Sequence, residues 1–534
     1  MPGFRLGPFT GEKPGLHKRR LAPTDAQTCT NVRIQRGSLR PLRAPTTVVA
    51  KTIAGTLKSI FKYNNFWFEW DKPVSALRSL IPNDAYDRVY FTGDAEPKFT
   101  ESSIATTATP YPTNSYTLGI PAPTTAPTAT LSGSATDPTE LPETRYYVVT
   151  YLDAYGSEGP PSPVSNSVEW RNGQTVDLST LATAPSGNYN ITQKRIYRLN
   201  TGDTGSVYQL VATVDIASTT YTDSVASADL GRAIVSEDFD MPPTALEGLI
   251  RHPNGFYVGY YANVLCFSEP GYPHAWPAKY QLTTDHDIMG IGALGNSILV
   301  TTKSFPAIAS GTDPAGMVMD DTEVEQACVS KTGVVDLGYG VAYPSPDGLI
   351  LASPSGLKVV TQGVFDRDAW QALKPDSFVA VNWEGMYLAF YNDGVTQASF
   401  AMYPAQPELG VFFFQYYTQA VYQDREADQV YIDNGGNIAS WDTGANASMT
   451  YKSREFISPK PENMSVAVVR ADAYPITLKV YADAALVHTQ SVANNLPFRL
   501  PSGSLPEIYE VQVEGSNEVS EVVVATSMKA LRGV

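Results

Sequence analysis

The chain has 534 residues, a length typical of a protein with more than one domain, and a formal net charge of −16. Its content of 43% hydrophobic residues is typical of a folded globular protein. Its cysteines, Cys29, Cys266 and Cys328, are few and widely spaced, which excludes a disulfide framework and a paired-cysteine metal site. The sequence has no apolar run of membrane-spanning length and no secretory signal at its start, so we expect folding in a reducing cytoplasm.

Strand-forming and turn-forming residues recur along the whole length. Tyr occurs 31 times, and Gly and Pro occur 40 times each. Thr, Val and Tyr favour pleated strands, whereas Gly and Pro favour tight turns. The composition therefore predicts an all-β fold.

Residues 1–29 are predicted to form a basic N-terminal arm. The first 51 residues carry a charge of about +8, and the rest of the chain carries about −24. The arm is either solvated, or it docks on an acidic partner or lies near DNA phosphates. The candidate docking or DNA-proximal residues are Lys18, Arg19, Arg20, Arg33, Arg36, Arg40 and Arg43.

Residues 30–121 are predicted to supply the first strands of a β-propeller. TNVRIQRG (30–37) alternates, with Val32 and Ile34 directed inward and Arg33 and Gln35 outward. SIFKYNNFWFEW (59–70) reads as a hairpin that turns at Asn64-Asn65. We expect these strands to complete a ring with strands from much later in the chain.

Residues 122–242 are predicted to form an inserted β-sandwich. Segments rich in Pro mark both ends, PAPTTAPTATLSGSATDPTELP before it and DFDMPPTALEGL after it. Between them, alternating runs such as RYYVVTYLDAY and VYQLVATV are separated by Gly and Pro turns. This pattern indicates an independent module placed between two propeller blades.

Residues 243–450 are predicted to hold the main propeller blades. Turn signals at glycines 255, 295, 348, 385 and 435 recur every 45 residues on average. A four-stranded blade takes about 40–50 residues, so the period fits a propeller. The irregular intervals leave open the alternative of unrelated β-modules. Residues 451–534 are predicted to form a separate C-terminal β-domain.

The sequence contains no phosphate-binding loop, dinucleotide fingerprint, HExxH motif or GxSxG motif. We therefore expect no enzyme activity, no cofactor and no metal. Asp285-His286-Asp287 lies between two predicted strands and is expected to be a polar turn. The acidic run at 320–325 lacks the central glycine of a calcium loop and is expected to be a solvated loop.

The run VFFFQYYTQAVY (411–422) is unusually rich in aromatic residues. Both faces of so apolar a strand cannot be exposed to water without a partner. We expect alternate residues of 412–417 to lie in the core and the others to form an interface. The candidate interface residues are Phe412, Phe413, Phe414, Tyr416 and Tyr417.

Several segments resemble virion structural proteins of short-tailed phages. They are FSEPGYPHAWP (267–277), QACVSKTGVVDLGYGVAYPSPDGLILASPSGLKVVTQGVF (326–365), RDAWQALKPDSF (367–378), YADAALVHTQSV and LPFRLPSG (496–503). The order of modules is similar to that of tail tubular protein B, the tail nozzle: an interrupted propeller, an inserted immunoglobulin-like or fibronectin type III-like sandwich, and a C-terminal β-domain. The resemblance covers about residues 30–534.

This resemblance implies a structural role in a virion that is assembled in the host cytoplasm. The expected assembly is a homohexameric ring that continues the DNA ejection channel below the portal and head-to-tail adaptor. The expected partners are adaptor and portal proteins, tail fibres or a tail needle, and transiently the passing DNA. The basic arm is expected to hook into the adaptor ring.

Two alternatives remain open at this point. One is a receptor- or glycan-binding propeller at the tail tip, although the Ser-x-Asp-x-Gly-x-Thr-Trp boxes of sialidase-type propellers do not occur. The other is a bacterial surface propeller with adhesion modules, which the apparent lack of a secretory signal disfavours.

Overall fold

The structure is a computed structural model that describes residues 3–34, 36–202, 205–503 and 505–532. Some predicted features lie outside the described residues. They are the outward orientation of Gln35, the first two residues of the predicted arm and the last two residues of the predicted C-terminal domain. The fold is all-β, with 45% strand and 5% helix, which confirms the predicted class. Within the described ranges, no helix is long and apolar enough to cross a lipid bilayer.

The strands of residues 3–50 mostly join sheets that later parts of the chain build. They are β1 (Gly3–Leu6), β2 (Ala26–Thr30), β3 (Val32–Arg33), β4 (Arg40–Pro41) and β5 (Thr46–Ala50). β3 and β4 pair with each other. β1, β2 and β5 pair with strands that lie several hundred residues away.

Residues 59–117 form a hairpin followed by a four-stranded sheet. The elements are β6 (Ser59–Tyr63), β7 (Phe66–Trp70), β8 (Ser75–Arg78), β9 (Val89–Gly93), β10 (Ala95–Thr100), α1 (Ser102–Ala105) and β11 (Tyr116–Thr117). The hairpin β6–β7 pairs Ser59 with Trp70 and turns at Asn64, whose φ of 54° is a conformation that asparagine tolerates. The predicted hairpin is confirmed.

Residues 128–223 form facing sheets around a shared core. The strands are β12 (Thr128–Ser132), β13 (Glu143–Arg145), β14 (Tyr147–Asp153), β15 (Val168–Trp170), β16 (Thr175–Ser179), β17 (Ile191–Gly202), β18 (Gly205–Asp215) and β19 (Tyr221–Asp223). Sheet β12-β16-β19 and sheet β14-β17-β18 both contribute to a core that includes Val149, Val176 and Ile196. A two-stranded sheet, β13-β15, lies beside them.

Residues 247–359 form successive four-stranded antiparallel sheets. The strands are β20 (Glu247–His252), β21 (Phe256–Tyr261), β22 (Val264–Phe267), β23 (Gln281–Thr283), β24 (Ile288–Leu294), β25 (Ser297–Thr302), β26 (Ala307–Ser310), β27 (Val318–Asp321), β28 (Val335–Asp336), β29 (Val341–Ser345), β30 (Gly348–Ser353) and β31 (Gly356–Val359). Each group of four follows chain order. Gly255 and Gly295 have positive φ at hairpin turns, as their turn dipeptides predict.

The remainder of the chain contains one more helix and the last strands. The elements are α2 (Arg367–Ala372), β32 (Val379–Trp383), β33 (Met386–Asn392), β34 (Gln397–Met402), β35 (Val411–Phe414), β36 (Val421–Asp424), β37 (Gln429–Asn434), β38 (Asn437–Ser440), β39 (Met449–Ser453), β40 (Phe456–Ile457), β41 (Val466–Ala471), β42 (Ile476–Ala482), β43 (Ala485–Val492), β44 (Phe498–Arg499), β45 (Ile508–Gly515) and β46 (Val519–Ala525). Short 3₁₀ turns lie at Ser227–Asp229, Pro314–Gly316, Lys331–Gly333, Pro375–Ser377, Pro407–Leu409 and Ala530–Arg532.

The late strands combine with early ones in shared sheets. β36, β37 and β38 form a sheet whose fourth strand is β5. β32 to β35 continue through β2 into β39, β45, β42 and β43, and β40 also pairs with β45. β1 pairs with β46 in the sheet β1-β46-β41-β44.

Residues 3–29 are therefore not a free arm. Phe4, Leu6 and Phe9 are buried in a core that also contains Val469 and Val524. The prediction weighed the positive charge of this segment and overlooked its buried apolar side chains. Residues 451–532 are not a separate domain either, because their sheet and their core continue into β2 and β35.

Candidate functional site: an arginine-lined cleft

The segment 31–43 is folded so that several of its arginines face one cleft. Val32, Ile34, Leu39 and Leu42 are fully or almost fully buried, which confirms the inward direction predicted for the first two. Leu39 and Val519 exchange backbone hydrogen bonds of 2.8 and 2.9 Å, so the middle of the segment is fixed to β46. With its apolar side chains inside, the segment presents Arg36, Arg40 and Arg43 on the outer side.

We call this surface the arginine cleft. It has a volume of about 470 Å³, within the size range of ligand sites in proteins. Its lining residues are Arg33, Arg36, Ser38, Arg40, Pro41, Arg43, Asn446, Asp472 and Glu518.

Arg33 forms the floor of the arginine cleft and is buried, with 7% of its surface exposed. Its guanidinium makes an ion pair with Asp442 and another with Glu384 at 2.5 Å. It also lies 4.9 Å from the ring centre of Trp383. The predicted outward direction of Arg33 is wrong, because two carboxylates and an aromatic face compensate the burial of its charge.

Asp442 binds both ends of the segment 31–43. Besides its ion pair with Arg33, its Oδ1 accepts a hydrogen bond of 2.7 Å from the backbone N–H of Arg43. Burial raises the pKa of Asp442, although the Arg43 N–H and the charge of Arg33 act in the opposite direction. The floor of the cleft is thus held by one partly desolvated carboxyl group.

The other arginines of the cleft are open to a ligand. Arg36 is exposed, and Arg40 and Arg43 are partly exposed. In the described part of the chain, the guanidinium groups of these three residues make no hydrogen bond and no ion pair within 4 Å. The forked donors of arginine match the oxygen pairs of carboxylates and phosphates. The cleft can therefore bind an acidic group.

The other predicted basic residues lie in a different cluster. Lys18 Nζ lies 2.5 Å from Glu455 Oε1, and Arg19 Nε lies 2.9 Å from Glu455 Oε2. Burial acts to raise the pKa of Glu455, but these two hydrogen bonds outweigh it and the pKa is lowered overall. Arg20 is exposed. Six of the seven basic candidates therefore divide between the Glu455 cluster and the arginine cleft, and Arg20 belongs to neither.

The predicted aromatic interface is wrong for Phe412, Phe413 and Phe414, which pack inside the protein. Phe412 and Phe414 are 2% and 1% exposed and belong to the main core. Phe413 is partly buried against a second core on the opposite face of the strand. Tyr416 and Tyr417 are partly buried against the main core. The run is apolar on both faces because β35 lies inside a sheet with cores on both sides.

Sequence analysis missed the acidic residues of the site. Glu384, Asp442, Asp472 and Glu518 come from four connections between strands, far from the arginines in sequence. Glu518 accepts a hydrogen bond of 2.5 Å from Ser38 Oγ. Their positions depend on long-range strand pairing, and no local sequence motif indicates where they lie in the fold.

Groups that could perform chemistry are scarce elsewhere. Within the described ranges, no three His, Cys, Asp or Glu residues are placed to hold a metal ion. The three cysteines are buried and unbridged. Burial raises the pKa of Cys266 to about 12 and that of Cys328 to about 11, so both remain thiols at neutral pH.

Comparisons with known proteins leave the function open. No protein-family model and no curated protein matches the chain. Solved structures that are similar include the N-terminal domain of Nup159 (7% identity, 60% of this chain, 86% of that chain, TM-score 0.20). Others are PorZ, a bacterial surface component of the type-IX secretion system of Porphyromonas gingivalis (11%, 92%, 85%, TM-score 0.25), and the extracellular domain of BT4673 from B. thetaiotaomicron (11%, 88%, 87%, TM-score 0.21). Similarity this low carries no functional argument.

Proposed function

We propose that the chain is a non-enzymatic structural protein of a phage tail, a subunit of the nozzle ring that continues the DNA channel below the portal and adaptor. The observation that carries this proposal is the pairing of β5 with β38. A propeller ring can be closed by a sheet whose strands come from distant parts of the chain. A closed circular scaffold suits a subunit that must stay rigid in a ring.

Shared cores support a propeller. The sheet β20–β23 packs on β24–β27, which packs on β28–β31, which packs on β32–β35. The series continues to the sheet of β36–β38 and β5, through the hairpin β6–β7, to β8–β11 and back to β20–β23. We infer that these units are the blades, and that residues 122–242 are a fibronectin type III-like module inserted between two of them.

The charge of the chain supports a channel wall. A net charge of −16 repels DNA phosphates, so that DNA passes without adhering. The segments that resemble tail nozzles support a homohexamer that contacts the adaptor on one side and fibres or a needle on the other. In this proposal, the ring is added to the virion in the host cytoplasm.

Cryo-electron microscopy of virions that carry this chain, with native mass spectrometry of the purified chain, tests the proposal. We expect a six-fold ring on the tail axis, with a mass six times that of the 57.9 kDa chain. Density in a peripheral fibre or at the tail tip would contradict the nozzle. Binding of the same protein to a glycan array would then favour the receptor-binding alternative.

A further inference from the structure

A second charged surface, acidic rather than basic, lies along the edge of a sheet. β27 is the outermost strand of the sheet β24-β25-β26-β27, and its outer backbone groups have no strand partner in that sheet. We call residues 318–325 the acidic edge. It carries four exposed carboxylates, which are Asp320, Asp321, Glu323 and Glu325.

The acidic edge is not neutralised within its own chain. In the described part of the chain, none of its four carboxylates makes an ion pair or a side-chain hydrogen bond. Val318 and Val324 are 60% and 41% exposed, so the edge also presents apolar surface. Charges on an edge strand prevent unspecific pairing, and they also select a partner of opposite charge.

The arginine cleft has the complementary properties. Arg36, Arg40 and Arg43 face solvent without a carboxylate partner, on a chain whose net charge is −16. A partner that supplies carboxylates would neutralise them and gain charge-assisted hydrogen bonds. The cleft is large enough for several acidic side chains, at about 470 Å³.

We propose that the arginine cleft of one copy binds the acidic edge of the next copy, and that this contact joins neighbours in the ring. The inference rests on the proposed ring function. The two surfaces differ, so the contact is head to tail, and such contacts produce a ring when the rotation between copies closes. Nucleic acid is the other acidic occupant that the arginines could accept, and assembly and oligonucleotide binding of R36E/R40E distinguish the two.

Charge reversal tests the contact. In the full chain, R36E/R40E reverses the cleft and D321K/E323K reverses the edge. We expect each pair of substitutions to weaken assembly at least tenfold in protein concentration, measured by sedimentation velocity, because like charges then face each other. We expect the chain with all four substitutions to assemble like the wild type. R20E and E237K, at exposed positions outside both surfaces, are the matched controls and should assemble normally.

The outcomes separate this contact from the proposed function. A wild-type ring that persists unchanged in both reversed variants, each with a normal melting temperature, would overturn the contact and leave the nozzle proposal standing. A wild-type chain that forms no ring in solution or in virions would overturn both. Loss of oligonucleotide binding in R36E/R40E with unchanged assembly would overturn the contact and identify the occupant as nucleic acid.

Discussion

At the scale of single residues, Arg33 and Asp442 determine the geometry of the arginine cleft. Both are buried, and both are placed by turns whose backbone conformation is unusual. Asn31 precedes β3 with φ 55°, and Asp442 has φ 57°. The short polar side chains of Asn and Asp tolerate this left-handed region, so the two turns can aim the ion-paired groups at each other.

Replacement of Arg33 by Met should destabilise the protein. The change leaves Asp442 buried without its cation, and we expect a loss of about 3 kcal/mol in the free energy of unfolding. Urea denaturation of the full chain measures it. R36M is the matched control in the same cleft and should change stability by less than about 0.5 kcal/mol, since Arg36 is exposed. Equal losses in the two variants would contradict a structural role specific to Arg33.

Glu12 gives the protein a pH dependence. Burial raises its pKa to about 7, although its carboxylate accepts a hydrogen bond of 3.1 Å from the backbone N–H of Cys29. The ordinary value is 4.5, so the protonated form favours folding. That contribution is complete below pH 4.5 and is lost as the pH rises through about 7.

The variant E12Q should remove this dependence, because glutamine is neutral and can still accept the Cys29 hydrogen bond. We expect equal stability of variant and wild type near pH 4.5, and a more stable variant at pH 8 by on the order of 2 kcal/mol. Melting temperatures at the two pH values measure the difference. A difference that is the same at both would show that Glu12 is not the titrating group.

At the scale of strands and sheets, β5 is the early strand that completes the late sheet of β36, β37 and β38. All five of its residues are exposed, so side-chain packing contributes little to its position. Its backbone pairing with β38 holds it, with Thr46 opposite Ser440 and Val49 opposite Ile438. We expect this strand to be the most weakly held strand of its sheet.

A disulfide across that pairing tests it. Opposite residues on antiparallel strands have Cα atoms about 5 Å apart, within the range for a disulfide. The variant T46C/S440C should therefore oxidise readily in the folded state. Its apparent melting temperature should then be several degrees higher than in its reduced form, because the bridge closes a very long loop. T46C alone is the control. Failure to form the bridge under oxidising conditions would contradict the β5–β38 register.

The sequence allowed local elements to be predicted better than their partners. Turn signals at Gly255 and Gly295 and the hairpin at 59–70 were correct, because dihedral preferences and alternation are local. The burial of Arg33 could not be predicted, since it depends on strands that are distant in sequence. The complete arginine cleft was unpredictable for the same reason. Only its arginines are close together in the sequence, whereas its acids come from four separate connections between strands.

At the scale of the whole molecule, the two ends of the chain share one core. Phe4 stacks on Phe456 with ring centres 4.2 Å apart, and β1 lies beside β46. The same core includes residues of β32–β38. The first residues of the chain therefore stabilise its last strands, and the effect should extend beyond direct contacts.

Removal of residues 1–6 should loosen the C-terminal strands. The deletion uncovers the edge of β46 and removes Phe4 and Leu6 from the core, so we expect amide exchange in β46 and β41 at least tenfold faster than in the wild type. Hydrogen–deuterium exchange with mass spectrometry measures this. R5Q, which changes a mostly exposed side chain of the same strand, should leave the exchange nearly unchanged. Unaltered protection in the truncated chain would contradict the shared core.

The pairing of β1, β2 and β5 with late strands also affects how the protein is made. At about 5–20 residues per second, a ribosome needs on the order of half a minute to two minutes to complete this chain. During most of that time Phe4 lacks Phe456, Phe9 lacks Tyr451, and Leu6 lacks its pairing with Val522 of β46. The shared sheets cannot be complete before β46 has been synthesised, so the arginine cleft, which includes Glu518, does not exist on a chain that stops before residue 518. Any partner that binds the cleft can therefore do so only late in synthesis.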